Sequence, residues 1–172
     1  MDNKFDVAII GAGIVGLAMA YASARKGLKT IVFERNPRAV GASVRNFGLV
    51  WPIGQPAGPL FDRAMRSREI WLNIALAGGV QLNQNGSLQL AYHDDEVEVL
   101  HDFIKSAEGA AYQVKLCTPN EVAMHGPAVK TEGLKAGLWS ESECTVSPRQ
   151  AIPQLTEYLE KELGVVFQFG SA

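Results

Sequence analysis

Gly11, Gly13 and Gly16 stand where an apolar run gives way to a helical pattern, and that junction constrains the fold more than any other feature of this sequence. Phe5 to Ile10 is a short run rich in Val and Ile, the length of a strand buried on both faces in a parallel sheet. From Ile14 to Lys26 the residues Ile14, Leu17, Ala18, Tyr21 and Ala22 recur at helical spacing, and Gly27 follows as a C-terminal stop. Thr30 to Phe33 reads as a second strand. Strand, glycine turn, helix and strand within about thirty residues make a βαβ unit, which places two parallel strands side by side.

The spacing Gly-x-Gly-x-x-Gly is common by itself and gains force from this context. Glu34 ends the next strand, 18 residues after Gly16. Each residue type then has a physical reason. Gly11 permits the tight turn, Gly13 lets backbone approach a pyrophosphate, and Gly16 allows close packing of the helix. Free N–H groups and the positive end of the helix dipole face the diphosphate. A carboxylate at Glu34 accepts from adenosine ribose hydroxyls and repels a 2′-phosphate, which disfavours NADP. The spacing does not separate NAD from FAD, since both present an ADP half.

Charge and cysteine content narrow the alternatives. With 16 basic and 18 acidic side chains the net charge is -2, and no Lys/Arg run is present, so nucleic acid is not an expected partner. Cys117 and Cys144 lie far apart without a CxxC or a His at ligand spacing, which predicts reduced thiols in a cytoplasmic protein and no metal site. The apolar stretch from Val7 to Ala24 resembles a signal peptide, but Asp2, Lys4 and Asp6 before it lack the positive balance such a segment needs. Its three glycines also argue against a membrane helix.

Pro52 to Pro59 holds three prolines and two glycines and predicts an ordered turn segment. A helix over Leu60 to Leu76 follows, with Leu60, Ala64, Trp71, Leu72 and Ala75 near one face and Gly78-Gly79 as its stop. Asn85-Gly86 predicts a hairpin between Val80–Leu82 and Ser87–Tyr92. Glu96 to Ala107 predicts a helix, and 112 to 144 further strands and loops. Ser147 and Pro148 then suit a helix start, with the Ser hydroxyl as cap. Ile152, Leu155, Leu159 and Leu163 form its apolar stripe, and Val165 to Phe169 reads as another buried strand.

The string Gly41-Ala42-Ser43-Val44-Arg45-Asn46-Phe47-Gly48-Leu49 resembles the loop that follows the acidic strand end in flavin amine and amino-acid oxidoreductases of the D-amino acid oxidase type. The resemblance implies FAD as cofactor and an α/β fold: a Rossmann-type FAD-binding domain with a parallel sheet, interrupted by an α+β substrate subdomain. Residues 1–78 and 147–172 would form the first domain and 79–146 the second. It further implies that Gly11, Ala12, Gly13, Ile14, Gly16, Glu34 and Arg35 bind the ADP half of the cofactor. Ser43 would touch the pyrophosphate or ribityl chain, with Ala42 beside it in the cofactor-binding set, and Arg45 would either face an anionic substrate group or the electron-rich pyrimidine end of the flavin or stand as a surface arginine of the loop. Asn46, Phe47, Gly48 and Leu49 would pass near the isoalloxazine, Gly48 leaving room for the ring. The stretch from Ala42 to Pro52 looks most like a bacterial branch associated with aminophosphonate breakdown. Members of the family run to about twice this length, as two domains of ordinary size require. The chain is therefore expected to be a first half, whose sheet edges and apolar surface would be exposed.

The function so implied is hydride transfer from a C–N carbon of a small-molecule amine, amino acid or aminophosphonate to the flavin, with no catalytic side chain identifiable in the sequence. An NAD-dependent dehydrogenase and a non-catalytic nucleotide-binding fragment that needs its missing half or a partner chain are the alternatives. His93, His101 and His125 have no nucleophile or carboxylate constellation around them. Asp94-Asp95-Glu96 suits a helix N-terminus, and Trp51, Trp71 and Trp139 suit packing.

Overall fold

The computed structural model describes residues 4–106 and 109–171. In chain order these form β1 (Val7–Ile10), α1 (Ile14–Ala24), β2 (Thr30–Glu34), β3 (Leu49–Val50), α2 (Pro59–Leu76), β4 (Leu82–Asn83), β5 (Ser87–Ala91), α3 (Asp94–Lys105), β6 (Val114–Cys117), α4 (Pro119–His125), β7 (Ala136–Ser140), β8 (Cys144–Val146), α5 (Pro148–Leu163) and β9 (Val166–Phe169). Single 3-10 turns cover Ala42–Arg45, Pro52–Gly54 and Gly109–Ala111. The chain divides into two compact units. One takes the described residues up to Gly48, Leu72–Leu82 and those from Val146 onward; the other takes Leu49–Trp71 and Asn83–Thr145.

The first unit is an α/β unit built on a parallel sheet in the order β1-β2-β9. Val7 to Ile10 pair in register with Thr30 to Phe33, and Ile31 to Glu34 with Val166 to Phe169. Only β2, in the middle, meets the expectation of a buried strand. Thr30, Ile31 and Val32 are buried, whereas Ile10 in β1 is 81% exposed and Val166 and Phe169 in β9 are exposed. The expected burial of β1 and β9 on both faces is thus corrected: within this unit each has one neighbour, not two. Helix α1 shows a related difference. Leu17 and Ala20 face the core, while Val15, Ala18, Met19 and Ala22 are exposed and with Ile14 line an apolar surface groove. Ala18 and Ala22 therefore leave the expected buried face.

Helix α1 ends at Ala24, two residues before Lys26, and Gly27 closes the turn by donating to the Ala24 carbonyl. Helix α5 packs beside α1 and the 42–45 turn through Ala151, Ile152, Leu155 and Leu159. Ser147 is its N-cap residue, but the hydroxyl makes no cap; its carbonyl accepts from the N–H groups of Gln150 and Ala151 instead.

The second unit is α+β. Its main sheet is antiparallel in the order β5-β7-β6, covered by α3 and α4, and a smaller one has the order β3-β8-β4. The hairpin expected at Asn85-Gly86 does not form. β5 pairs with β7 some fifty residues on, Ser87 opposite Ser140 and Ala91 opposite Ala136. A local turn preference yields here to packing, because pairing with β7 sets Leu88 against the core cluster of Cys117, Val122 and Leu134. Trp139 packs on the same cluster, and its ring stacks on His125 at 3.9 Å.

Helix α4 replaces part of the strands and loops expected over 112 to 144. Thr118 accepts from the Glu121 N–H while Glu121 accepts from the Thr118 N–H, a reciprocal cap with Pro119 at the first helical position. Helix α3 starts at Asp94 rather than Glu96, whose carboxylate accepts from the Tyr92 and His93 N–H groups. The expected end of α3 at Ala107 lies outside the described residues. On α2 the buried residue is Ile74, and Leu60 is exposed. Trp51 is likewise exposed rather than packed in a core. Cys117 and Cys144 are free and buried. Among the described residues no helix is long and apolar enough to cross a membrane.

Candidate functional site

The glycine turn joins the end of β1 to the first turn of α1. The Gly11 N–H donates to the Phe33 carbonyl at 2.7 Å, extending the β1-β2 ladder to the turn. Gly16 is the position that tolerates least: a Cβ there would stand 1.9 Å from the Gly11 carbonyl oxygen. Helix and turn can approach this closely only without a side chain. Gly13 caps the helix through its backbone, its carbonyl accepting the Leu17 N–H at 2.9 Å. Helix geometry leaves the N–H groups of Val15 and Gly16 without an intrahelical acceptor. No acidic side chain occupies this first turn, so the positive end of the dipole is uncompensated from within the helix.

Two side chains distant in sequence converge on this turn. The Glu34 carboxylate accepts the buried Ala12 N–H at 2.9 Å through Oε2. Its Oε1 accepts the Asn36 backbone N–H at 3.0 Å and the Asn36 Nδ2 at 3.1 Å. These donors, the Ala12 N–H foremost, hold the Glu34 carboxyl below the usual carboxylate range; the charge of the exposed Arg35 adds a smaller part. The Ser43 Oγ accepts the Ile14 N–H at 2.9 Å. Gly13 matters here too, since a Cβ on it would lie 3.2 Å from that oxygen. Gly11, Ala12, Gly13, Ile14, Glu34 and Ser43 are thus brought together by direct contacts.

The rest of the expected set is arranged differently. Ala42 opens the 3-10 turn that carries Ser43, and Arg45 closes it by donating to the Gly41 and Val40 carbonyls at 3.4 and 3.2 Å. The Arg45 guanidinium is therefore engaged by its own loop. The Asn46 Oδ1 accepts the Gly48 N–H at 2.9 Å, forming a local turn, and Phe47 is exposed. Gly48 has a reason of its own to be glycine: its φ is +78° and a Cβ would meet the Val146 carbonyl at 2.0 Å. Leu49 belongs to β3 of the second unit, paired with Thr145. Asn36 was not an expected site residue. The signal for it is an Asx side chain two residues beyond the acidic strand end and just before Pro37, where it folds back onto local backbone and carboxylate groups.

The family model described as DAO, FAD dependent oxidoreductase, matches residues 6–172. A glycine oxidase of Geobacillus kaustophilus is 24% identical over 155 residues, 86% of this chain and 41% of its own length. An opine oxidase component of Rhizobium meliloti is 31% identical over 113 residues, 60% of this chain and 30% of its own. Among solved structures, glycine oxidase from Bacillus cereus superposes with a TM-score of 0.82 over 97% of this chain and 48% of that one, at 22% identity. L-proline dehydrogenase from P. horikoshii gives a TM-score of 0.80 at 26% identity, over 99% and 45% of the two chains. The chain therefore spans less than half the length of these relatives.

Proposed function

The chain belongs to the DAO family of FAD-dependent oxidoreductases, and from that premise we propose that the protein oxidises a carbon–nitrogen bond of a small amine or amino acid. The observation that carries this reading is the family match over residues 6–172 together with a glycine turn whose N–H groups, Glu34 and Ser43 form one cradle. The residues fit the cofactor of the family. A Cβ at Gly13 would intrude on Ser43, and the open first turn of α1 offers N–H donors and a positive dipole to a diphosphate. In this reading Glu34 accepts from the adenosine ribose. Ser43, whose oxygen already holds the Ile14 N–H, has its own proton left to donate to a phosphate or ribityl oxygen.

When bound, FAD supplies a two-electron acceptor: the substrate carbon gives up a hydride, its nitrogen a proton, and the resulting imine takes up water to give a carbonyl compound and an amine or ammonia. This chain's part is to fix the cofactor against the sheet, through the α1 N-terminus at one end and, by the family resemblance, Asn46 to Leu49 at the other. Arg35 and Ala42 flank these contacts. We assign cofactor binding to the unit that carries Gly11 to Gly48 and substrate contacts to the second unit. The relatives named above as oxidases or dehydrogenases of glycine, opines and proline support an amino compound as substrate. The Ala42 to Pro52 string adds aminophosphonates to the candidates. Two free, buried thiols accord with a cytoplasmic location.

The test is an absorption spectrum of the purified protein with FAD, followed by anaerobic addition of glycine, sarcosine, D-alanine or 2-aminoethylphosphonate. Bands of bound flavin that bleach with one amine support the proposal and name its substrate group. Bound flavin that no amine bleaches favours the second reading, a cofactor-binding portion that needs further chain for turnover. A folded protein that binds no flavin sinks the assignment.

A further inference from the structure

Glu34 does not stand free to meet a ligand. Its carboxylate has about four acceptor positions, and three are filled from within the chain: one by the Ala12 N–H and two by the backbone and side chain of Asn36. The backbone that carries both residues is itself fixed, because the Ser171 N–H donates to the Glu34 carbonyl and the Gly170 N–H to the Asn36 carbonyl. Asn36 cannot drift without disturbing β9, and its amide therefore acts on Glu34 from a firm base.

We infer that Asn36 is a positioning residue for adenosine recognition: its amide holds the Glu34 carboxylate turned toward the Ala12 N–H, with one acceptor position left for a single ribose hydroxyl. The inference rests on the reading of this turn as the FAD site. The backbone donors are independent of side-chain identity, so the Nδ2 is the one member of the clamp that substitution can remove. Without it Glu34 keeps its charge at neutral pH but gains rotational freedom, and some of that freedom must be lost again on binding.

The experiment measures FAD affinity by flavin fluorescence quenching in the wild-type chain, Asn36→Leu, Asn36→Asp, Glu34→Gln and the double variant Glu34→Gln/Asn36→Leu, with thermal melts as a folding control. Asn36→Leu keeps the shape and loses the donor; Asn36→Asp also keeps the local turn but adds a charge that repels Glu34. The expected result is weakening by about tenfold for Leu, the size of one hydrogen bond to a charged group, and more for Asp. In the Glu34→Gln background the Leu change should have little further effect. A second readout needs no ligand: the NMR titration midpoint of the Glu34 carboxyl should rise in both variants, since a donor to its charged form is gone. Equal FAD affinity in all Asn36 variants, the same loss in the Glu34→Gln background, or an unmoved Glu34 midpoint would each overturn the inference. A wild-type chain that fails to bind FAD overturns the site reading and the role in recognition with it.

Discussion

Two carboxylates, one in each unit, are each held partly by neighbours and partly by donors far off in sequence, yet they are built for opposite ends. Glu34 is half-buried and accepts three N–H groups, one of them 22 residues away. Glu143 is fully buried, and it accepts the Ile53 N–H at 3.3 Å, the Ser142 hydroxyl at 2.8 Å and the Ser87 hydroxyl at 3.1 Å. Its backbone carbonyl also accepts the Gly86 N–H. Glu143 thus gathers three stretches of the second unit around one side chain that solvent does not reach. Glu34 retains an open side and an acceptor to spare. A carboxylate surrounded by its own chain joins segments together, whereas one left partly open can also meet a ligand.

The difference sets the order of what substitution should do. Glu143→Ala should be the most costly, because it opens a cavity at a fully buried position and removes the shared acceptor of the Ile53 N–H and the Ser87 and Ser142 hydroxyls; a loss of about 4 kcal/mol is expected. Urea unfolding measures it, and a loss below about 1 kcal/mol would show that the two sites do not differ as described. Gly16→Ala should follow at about 3 kcal/mol, since the new methyl group must push the Gly11 carbonyl away and break the turn. That variant should also lose FAD binding, which Glu143→Ala should leave intact in the folded fraction. Glu34→Gln should cost only about 1 kcal/mol of stability, as its amide oxygen can keep part of the set and solvent serves the rest. Its larger effect should fall on FAD affinity, measured by fluorescence quenching.

The sequence exposes one of these sites and hides the other. Gly11, Gly13, Gly16 and Glu34 announce themselves through spacing, since the turn, helix and following strand are consecutive and each glycine has a local reason. Glu143 carries no such sign: beyond the adjacent Ser142, its partners come from positions 53 and 87, and only the folded second unit brings them near. The same division runs through the fold. The Thr118-Pro119-x-Glu121 cap of α4 is a local pattern and was open to reading, although proline and glycine nearby suggested loops instead. The pairing of β5 with β7 was not open to reading, because the Asn85-Gly86 signal speaks only of neighbours. Composition also predicts that β1, β2 and β9 are all buried strands. Which of them lies in the middle is a property of sheet order.

The smallest expected effect concerns pH, and it compares Glu34 with a third carboxylate. Glu121 is held down to about 2, chiefly by the Lys115 ammonium and then by Thr118, against 4.5 for an unperturbed glutamate. Glu34 is also held below 4.5, but mainly by neutral N–H donors. In both cases the native state binds the proton less readily than the unfolded chain, so the stabilisation is complete above about pH 5 and fades as pH falls. For Glu121 the loss continues down to about 2. Urea midpoints of the wild type, Glu121→Gln and Glu34→Gln between neutral and acid pH should converge on the acid side. Added salt separates the two causes. An exposed ion pair is screened, so the Glu121 contribution should shrink at high ionic strength, while hydrogen bonds from neutral backbone groups should persist and keep the Glu34 contribution nearly unchanged. If salt reduced both alike, Glu34 would be held by charge, through Arg35, and the contrast between a carboxylate placed by backbone and one placed by a cation would fail.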